Sequence, residues 1–472
     1  MLLTIDKLIY GGDGLARLPA DANGPGKTVF LPFVLAGEKI EASLTEQKPG
    51  FARAQVDAII ENSPRRIPPA CPYFSQCGGC HYQHTTYEHQ LEIKQAILRE
   101  TLRRTAKLEL PGEIRVHPSP PWNYRNRSRL QVHAQPEFKL GYFRPATQEL
   151  LGVDQCPISS PLINRGITVA WGLGRQGKVP EGVSEIEFLA NADDSQVLVE
   201  VGCSSDARRA AVRTFAEELR AAMTEIVGVV AFRESSQPHR SSRKSPSQEK
   251  RTDRGAADAV VRRRSAVPGP VEKLITVGAD HLVYQTRRAS YRVSAGSFFQ
   301  ANRHLIDDLV GIVTDGQSGE SALDLYAGVG LFSTVLARDI RHIVSVESSQ
   351  TSSADLAYNQ TSNGETVQAT TEQYLTRLKT SGRSGTGAVL PHISYQPGLA
   401  VVDPPRSGLG EPVARLLANL GAPRVIYVSC DPATLARDLV PLLAAGYQVE
   451  RAHLVDLFPQ TYHLESVLHL RK

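Results

Sequence analysis

Residues Ala322–Ala337, ALDLYAGVGLFSTVLA, decide the fold of this 472-residue chain. The run Ala322–Tyr326 is apolar enough for a buried strand. Ala327-Gly-Val-Gly330 then reads as a turn, because Gly328 and Gly330 let the backbone bend sharply and approach a ligand closely. Leu331–Ala337 reads as a helix. Strand, glycine turn and helix in that order form the ligand cradle of an open parallel sheet. The spacing is not G-x-G-x-x-G, so a pyrophosphate is not the expected ligand. Glu347 ends the next strand-like run, His342–Glu347, 17 residues beyond Gly330. A carboxylate there can accept hydrogen bonds from both hydroxyls of a ribose. Gly328-x-Gly330 alone would fit a plain tight turn; the strand, the helix and the distal acid together argue against that.

The same grammar continues outward. A helix is expected near Ser353–Asn359, and strand Leu399–Val402 runs into Asp403-Pro-Pro-Arg406. Strand Arg424–Ser429 runs into Cys430, helix Ala433–Ala445 follows, and Tyr447–Asp456 and Glu465–Leu470 finish as strands. From about Leu274 this predicts a doubly wound α/β sheet. Prolines 404 and 405 end their strand and fix the chain's exit. Asp403 then stands at the same sheet edge as Asp324, Glu347 and Cys430, where it can accept from the imide N–H of a base. Cys430 precedes Asp431-Pro432, a helix-start signature. A thiol at a helix N-terminus is favoured as thiolate. A lone cysteine is more often inert and buried, but one at a strand end is placed for reaction. Glu465, in Thr461-Tyr-His-Leu-Glu-Ser466, lies at the start of the last strand and can serve as a general base; in isolation it would pass for a surface acid. Phe298-Phe299-Gln300-Ala301-Asn302 offers aromatics and an amide to a flipped base, with one of the two rings assigned to the core.

The N-terminal third differs. Short strands Leu2–Ile9, Thr28–Val34 and Lys39–Glu46, separated by turn signals, predict a small β-barrel. Thr86 to about Arg104 is helical in pattern, and residues 115–235 alternate around strands Arg129–His133 and Val197–Val201. Residues 236–270 are rich in Ser, Arg and Pro and poor in large apolar groups, which predicts a disordered insertion. It holds nine basic and three acidic residues, a net +6, so the rest of the +4 chain carries −2. That segment can tether RNA phosphates, or be a solvated loop, the reading preferred. Ser381–Pro397 reads as a second loop. No internal repeat is found.

A hydrophobic content of 41% supports two or three domains. Charges, Gly or Pro cut every long apolar run, so no membrane span is expected, and Asp6 with no basic leader argues against a signal peptide. Six cysteines without a dense framework suit a reducing compartment, so a cytoplasmic location is expected. Four of them, Cys71-x5-Cys77-x2-Cys80 and the distant Cys156, suit a Cys₄ metal site. Zinc and iron–sulfur remain open; a single C-x2-C pair, and Pro72 and Pro157 after ligand cysteines, favour a [4Fe–4S] cluster. Cys203 reads as a small core residue.

These residues resemble the bacterial RNA (uracil-5-)-methyltransferases along nearly the whole chain. The N-terminal strands are similar to that family's TRAM domain, an OB-like barrel that holds RNA. CPYFSQCGGCHYQH with DQCP is similar to its iron–sulfur signature, and WNYRNRSRL and LGYFRP to its central domain. FFQAN, DLYAGVG, DPPRSGL, VSCDPATLARDL and HLES resemble its catalytic motifs. The resemblance implies a multidomain α/β protein: a TRAM barrel at 1–62, a central α+β domain with the iron–sulfur site at 63–273, and a Rossmann-like methyltransferase domain at 274–472. It implies Cys430 as nucleophile and Glu465 as base. Gln300, Tyr326, Gly328, Gly330, Glu347 and Asp403 would form the S-adenosylmethionine and ligand pocket. Cys71, Cys77, Cys80 and Cys156 would hold a [4Fe–4S] cluster. Leu331 departs from the pattern, since many members carry Asn there, and the 236–270 insertion lies outside it.

The implied reaction is 5-methyluridine formation. Thiolate addition at carbon 6 makes carbon 5 nucleophilic, the methyl is transferred, and Glu465 removes the carbon-5 proton. Large-subunit (23S) ribosomal RNA is the favoured substrate, with transfer RNA the alternative; no membrane partner is expected, and a monomer is. Two other readings compete. An amino-methylating base methyltransferase favours an aromatic where Arg406 stands and needs no Cys430. A non-catalytic iron–sulfur RNA-binding protein leaves Cys430 and Glu465 without a role.

Overall fold

The computed structural model describes residues 1–19, 26–234, 271–381 and 396–472. The basic insertion 236–270 and most of the second loop fall outside the described residues. Two compact units emerge: Met1–Phe74 with Cys80–Arg125 and Val283–Lys472, and Ser75–Gly79 with Asn126–Leu282. The N-terminal strands, helix Tyr87–Thr101 and the C-terminal sheet share one unit.

In the first unit, Leu2–Thr4, Lys39–Gln47, Phe51–Glu61, Thr28–Leu31, Gly14–Arg17 and Lys7–Leu8 form one six-stranded sheet, in that spatial order. Alternation buries Leu3, Val29, Leu31, Ile40, Ala42, Ala52 and Ala54 on one side. The two end members of that order, Leu2–Thr4 and Lys7–Leu8, are consecutive pieces of one stretch of chain, which pairs with Lys39–Gln47 on one side and Gly14–Arg17 on the other. The expected strand Leu2–Ile9 is two short pieces, since the chain leaves the ladder at Ile5, whose N–H donates to the Glu38 carbonyl.

The C-terminal sheet has eight strands in the order Gly364–Gln368, Ile340–Glu347, Gly319–Leu325, Leu399–Val402, Arg424–Ser429, Glu465–Arg471, Gln448–Val455 and Arg115–His117. The first five are parallel, Glu465–Arg471 runs antiparallel to both its neighbours, and Arg115–His117 joins the edge. Strands buried on both faces, such as Leu399–Val402, are why the sequence reads as unbroken apolar runs. Leu331–Ala337 is shorter than its pattern suggests. Only Ser333–Leu336 is helical, because Tyr326, Gly328 and Gly330 all take positive φ and spend the preceding residues on a turn.

The second unit is a seven-stranded mixed sheet, Leu150–Gly152, Lys139–Phe143, Arg127–His133, Val183–Ala190, Val197–Cys203, Ile226–Glu234 and Val271–Gly278 in order. Helices Pro161–Arg175 and Arg209–Ala222 contribute Ile163, Ile167, Phe215 and Leu219 to its core with Phe188 and Val199. Cys203 is 2% exposed in that core, and burial pushes its thiol up to about 11, in keeping with a core role.

Helix Tyr87–Thr101 starts on Thr86, whose side chain accepts from the His89 N–H. It is pinned to the C-terminal sheet by a fully buried ion pair: Lys94 Nζ donates to Asp456 at 2.6 Å and to the Phe458 carbonyl at 3.0 Å. Burial pulls the Lys94 amine down and Asp456 holds it up. No described helix is long and apolar enough to cross a membrane. Lys94→Met leaves Asp456 buried without its cation and is expected to cost about 3–5 kcal/mol in urea unfolding. Lys94→Met with Asp456→Leu should recover most of that; a single variant as stable as the parent would show that the pair carries no load.

Candidate active site

Four strands of the C-terminal sheet end at one edge and deliver Asp324, Glu347, Asp403 and Cys430 there. Glu465 arrives from the opposite direction. In the antiparallel ladder Ser429 pairs with Ser466, so one step further along the register sets Cys430 across from Glu465. Helix Pro432–Ala444 leaves from this point. Asp431 caps it, accepting from the Ala433 and Thr434 N–H groups at 2.8 and 3.0 Å. Cys430 is a free, half-buried thiol at this strand-to-helix bend, as its position in sequence suggests.

Electrostatics corrects one expectation. The helix terminus does not yield a resting thiolate: burial, then Glu465 and Asp403, raise the Cys430 thiol well above its ordinary range, and Arg406 pulls it back. Glu465 is 3% exposed and its carboxyl is likewise raised, by burial first and Asp403 second, again with Arg406 opposing. Asp403 is pushed up to about 7 by burial and by Asp324. Asp324, 1% exposed, also reaches about 7 through burial. Near neutral pH neither aspartate is fully ionised, so the edge stores protons rather than a cluster of bare charges.

Arg406 is therefore the cation on which both Cys430 and Glu465 depend. Its carbonyl accepts from the Thr434 hydroxyl at 3.2 Å, tying the Asp403–Arg406 turn to the helix after Cys430. Its Nη2 donates to His463 Nε2 at 3.3 Å. Burial, and then Arg406, hold His463 well below the usual imidazole range, so the ring stays neutral and able to accept. Sequence reasoning named Asp324 at this edge and Arg406 after the prolines without giving either a role, and passed over His463. The signal lay in the motifs, since each sits inside a stretch singled out for its neighbours.

The other expected residues gather around the glycine turn. Glu347 accepts from the Gly328 N–H at 2.9 Å and the Ser349 N–H at 2.6 Å. A side chain at Gly328 would meet nothing within 4 Å, so the space beside the turn is open. Tyr326 holds φ +63°, a costly conformation for a tyrosine. Asp324 accepts from the Ser333 N–H at 3.1 Å through one oxygen, while its other oxygen, Oδ1, is buried without a partner. An open cradle lined by an unsatisfied acid and a ribose-spaced carboxylate fits an adenosyl cofactor with a cationic, polar tail. Gln300 donates to Asp403 at 3.3 Å, which joins FFQAN to the site. Of its two rings, Phe299 is 2% exposed against Tyr284 and Tyr291, and Phe298 is 65% exposed.

Cys71, Cys77, Cys80 and Cys156 are all half-buried. Cys71 and Cys80 belong to the first unit and Cys77 and Cys156 to the second. Among the described residues no group of three or more His, Cys, Asp or Glu is arranged to hold a metal ion.

Residues 274–472 match the family described as tRNA (Uracil-5-)-methyltransferase, and residues 1–56 match the TRAM domain. The chain is 32% identical over its whole length to the protein of Chromohalobacter salexigens named 23S rRNA (uracil(1939)-C(5))-methyltransferase RlmD, covering 89% of that protein. It is 30% identical to an uncharacterized RNA methyltransferase of Aquifex aeolicus, over 98% of this chain and 97% of the other. Its fold matches that of the Pyrococcus abyssi tRNA (uracil-54, C5)-methyltransferase across both full chains, with a TM-score of 0.69 at 21% identity. With a sheet edge that brings thiol, acids and glycine turn together, and relatives matched from end to end, the chain belongs to the S-adenosylmethionine-dependent RNA (uracil-5-)-methyltransferases.

Proposed function

We propose that the chain methylates carbon 5 of a uridine in 23S ribosomal RNA, with Cys430 as covalent nucleophile and Glu465 as base. The observation that carries the chemistry is the ladder register that sets Cys430 across from Glu465, with Asp403 beside both. The substrate assignment rests on full-length similarity to the 23S rRNA enzymes; transfer RNA is the alternative, since the family model and the structural neighbour carry that name.

The target uracil must leave its stack to enter the site. Asp403 and Gln300 are placed to hold its imide edge. As the Cys430 sulfur bonds to carbon 6, its proton passes to solvent water, and the electrons of the carbon 5–carbon 6 double bond move towards oxygen 4. Arg406 favours the anionic forms of both Cys430 and Glu465, lowering the cost of that ionisation. S-adenosylmethionine supplies the electrophilic methyl that carbon 5 takes up. Glu465 then removes the carbon-5 proton, the double bond re-forms, and the Cys430 sulfur leaves as thiolate. Gln300, Tyr326, Gly328, Gly330, Glu347 and Asp403 are the proposed cofactor pocket, supported by the open space at Gly328 and the unsatisfied Asp324 oxygen. Cys71, Cys77, Cys80 and Cys156, by their spacing and their similarity to the family's iron–sulfur signature, are proposed to hold a [4Fe–4S] cluster, which takes no part in these steps.

Four outcomes are expected. Cys430→Ala should abolish methyl transfer to RNA while cofactor binding survives. Glu465→Gln should instead accumulate a methylated covalent protein–RNA adduct, because elimination needs the base; free turnover by Glu465→Gln would remove Glu465 from the reaction. RNA from a strain lacking the gene should lose a 5-methyluridine from 23S rRNA, and loss from transfer RNA would reassign the substrate. The purified chain should carry iron and acid-labile sulfide that Cys77→Ser and Cys156→Ser remove, and an iron-free wild type would dismiss the cluster.

A further inference from the structure

We propose that Tyr10, on the N-terminal sheet, is a positioning residue for the nucleophile, because its hydroxyl donates to the Cys430 backbone carbonyl at 3.1 Å across 420 positions of sequence. This inference rests on the reading of Cys430 as nucleophile. The Cys430 carbonyl is in an unusual place. The strand ladder stops at Ser429–Ser466, and the helix ladder begins at the Asp431 carbonyl, which accepts from Leu435. The carbonyl at 430 belongs to neither, and a bend left between two ladders is free to turn unless something outside them holds it.

Tyr10 supplies that hold and is itself clamped. It ends the strand pair at Lys7–Leu8 and opens the Gly11-Gly12 turn, where both glycines take positive φ, +109° and +92°. Its ring meets Tyr462 edge-on, with centroids 5.5 Å apart at 88°. His81 packs on the other side of the contact, 4.6 Å from Tyr462, and a side chain at Gly12 would run into His81 at 3.1 Å. The His81 N–H donates to the Gln460 carbonyl at 2.8 Å. Tyr10 therefore meets the Tyr462 ring, three residues before Glu465, while its hydroxyl holds the Cys430 carbonyl. One side chain of the RNA-binding-type module thus touches the chain close to both members of the proposed nucleophile–base pair. Any shift of the N-terminal sheet on contact with RNA would reach the thiol through this hydrogen bond.

The test uses the full chain with Tyr10→Phe, which keeps the ring against Tyr462 and removes only the hydroxyl, and Tyr10→Leu, which removes both. Single-turnover methylation of RNA with saturating cofactor is expected to fall about tenfold for Tyr10→Phe and further for Tyr10→Leu. The KM for RNA and the melting temperature of Tyr10→Phe should stay near wild type. A purely structural contact would do the reverse, lowering the melting temperature or raising the KM with the single-turnover rate intact, and that result would overturn the inference. Cys430→Ala is run alongside. If it retains activity, the reading of the nucleophile fails; if it is inactive while Tyr10→Phe matches wild type, only the role of Tyr10 fails.

Discussion

Antiparallel pairing of Arg424–Ser429 with Glu465–Arg471 is the constraint on which the site depends. The other central strands of this sheet run parallel, so their carboxyl ends all open on one edge. A parallel last strand would present its far end there. Reversing it brings the start of the strand to that edge, and with it Glu465, to face a thiol leaving the strand beside it. A slip of one residue would turn Glu465 to the other face. The register is held by burial, since Val425, Ile426, Tyr427 and Val428 pair with Leu470, His469, Leu468 and Val467, all with almost no exposure.

Desolvation then sets the chemistry. The edge is dry enough to push Asp324 and Asp403 to about 7 and to hold Glu465 and Cys430 neutral at rest. A dry thiol is protected, and a dry carboxyl is a poor base, so both need a counter-charge when they act. Arg406 is that charge, held by neutral His463 and by the tie from Thr434. The rigid Asp403–Arg406 turn is therefore more than the end of a strand. It brings both an acid and a cation within electrostatic reach of the reacting pair.

Much of this was legible in the sequence because it depends on local rules. Leu399–Val402 and Arg424–Ser429 are found with the limits their apolar runs suggest, and Asp431-Pro432 opens a helix as cap and first residue. Cys430, Glu465 and Asp403 lie at strand ends, and Gln300 reaches Asp403 through a hydrogen bond. What was not legible depends on distance. Tyr10 is an ordinary tyrosine beside two glycines until the chain folds and brings it to residue 430. Lys94 is one lysine among many in a helix until it is buried against Asp456. Five of the seven strands of the second unit escaped notice: edge strand Leu150–Gly152 is too short to show a period, and central strand Val183–Ala190 is buried along most of its length and shows no alternation. The thiolate expectation failed for a related reason: a helix terminus is visible in sequence, but the buried acids around it are not.

The most direct test of the central claim is a trapping experiment with an RNA carrying 5-fluorouridine at the target position, incubated with the full chain and cofactor and then digested. Fluorine cannot leave as a proton does, so the expected result is a nucleotide bonded to the peptide containing Cys430, stable in denaturant. A bond to any other residue, or none under conditions in which ordinary RNA is methylated, would contradict it.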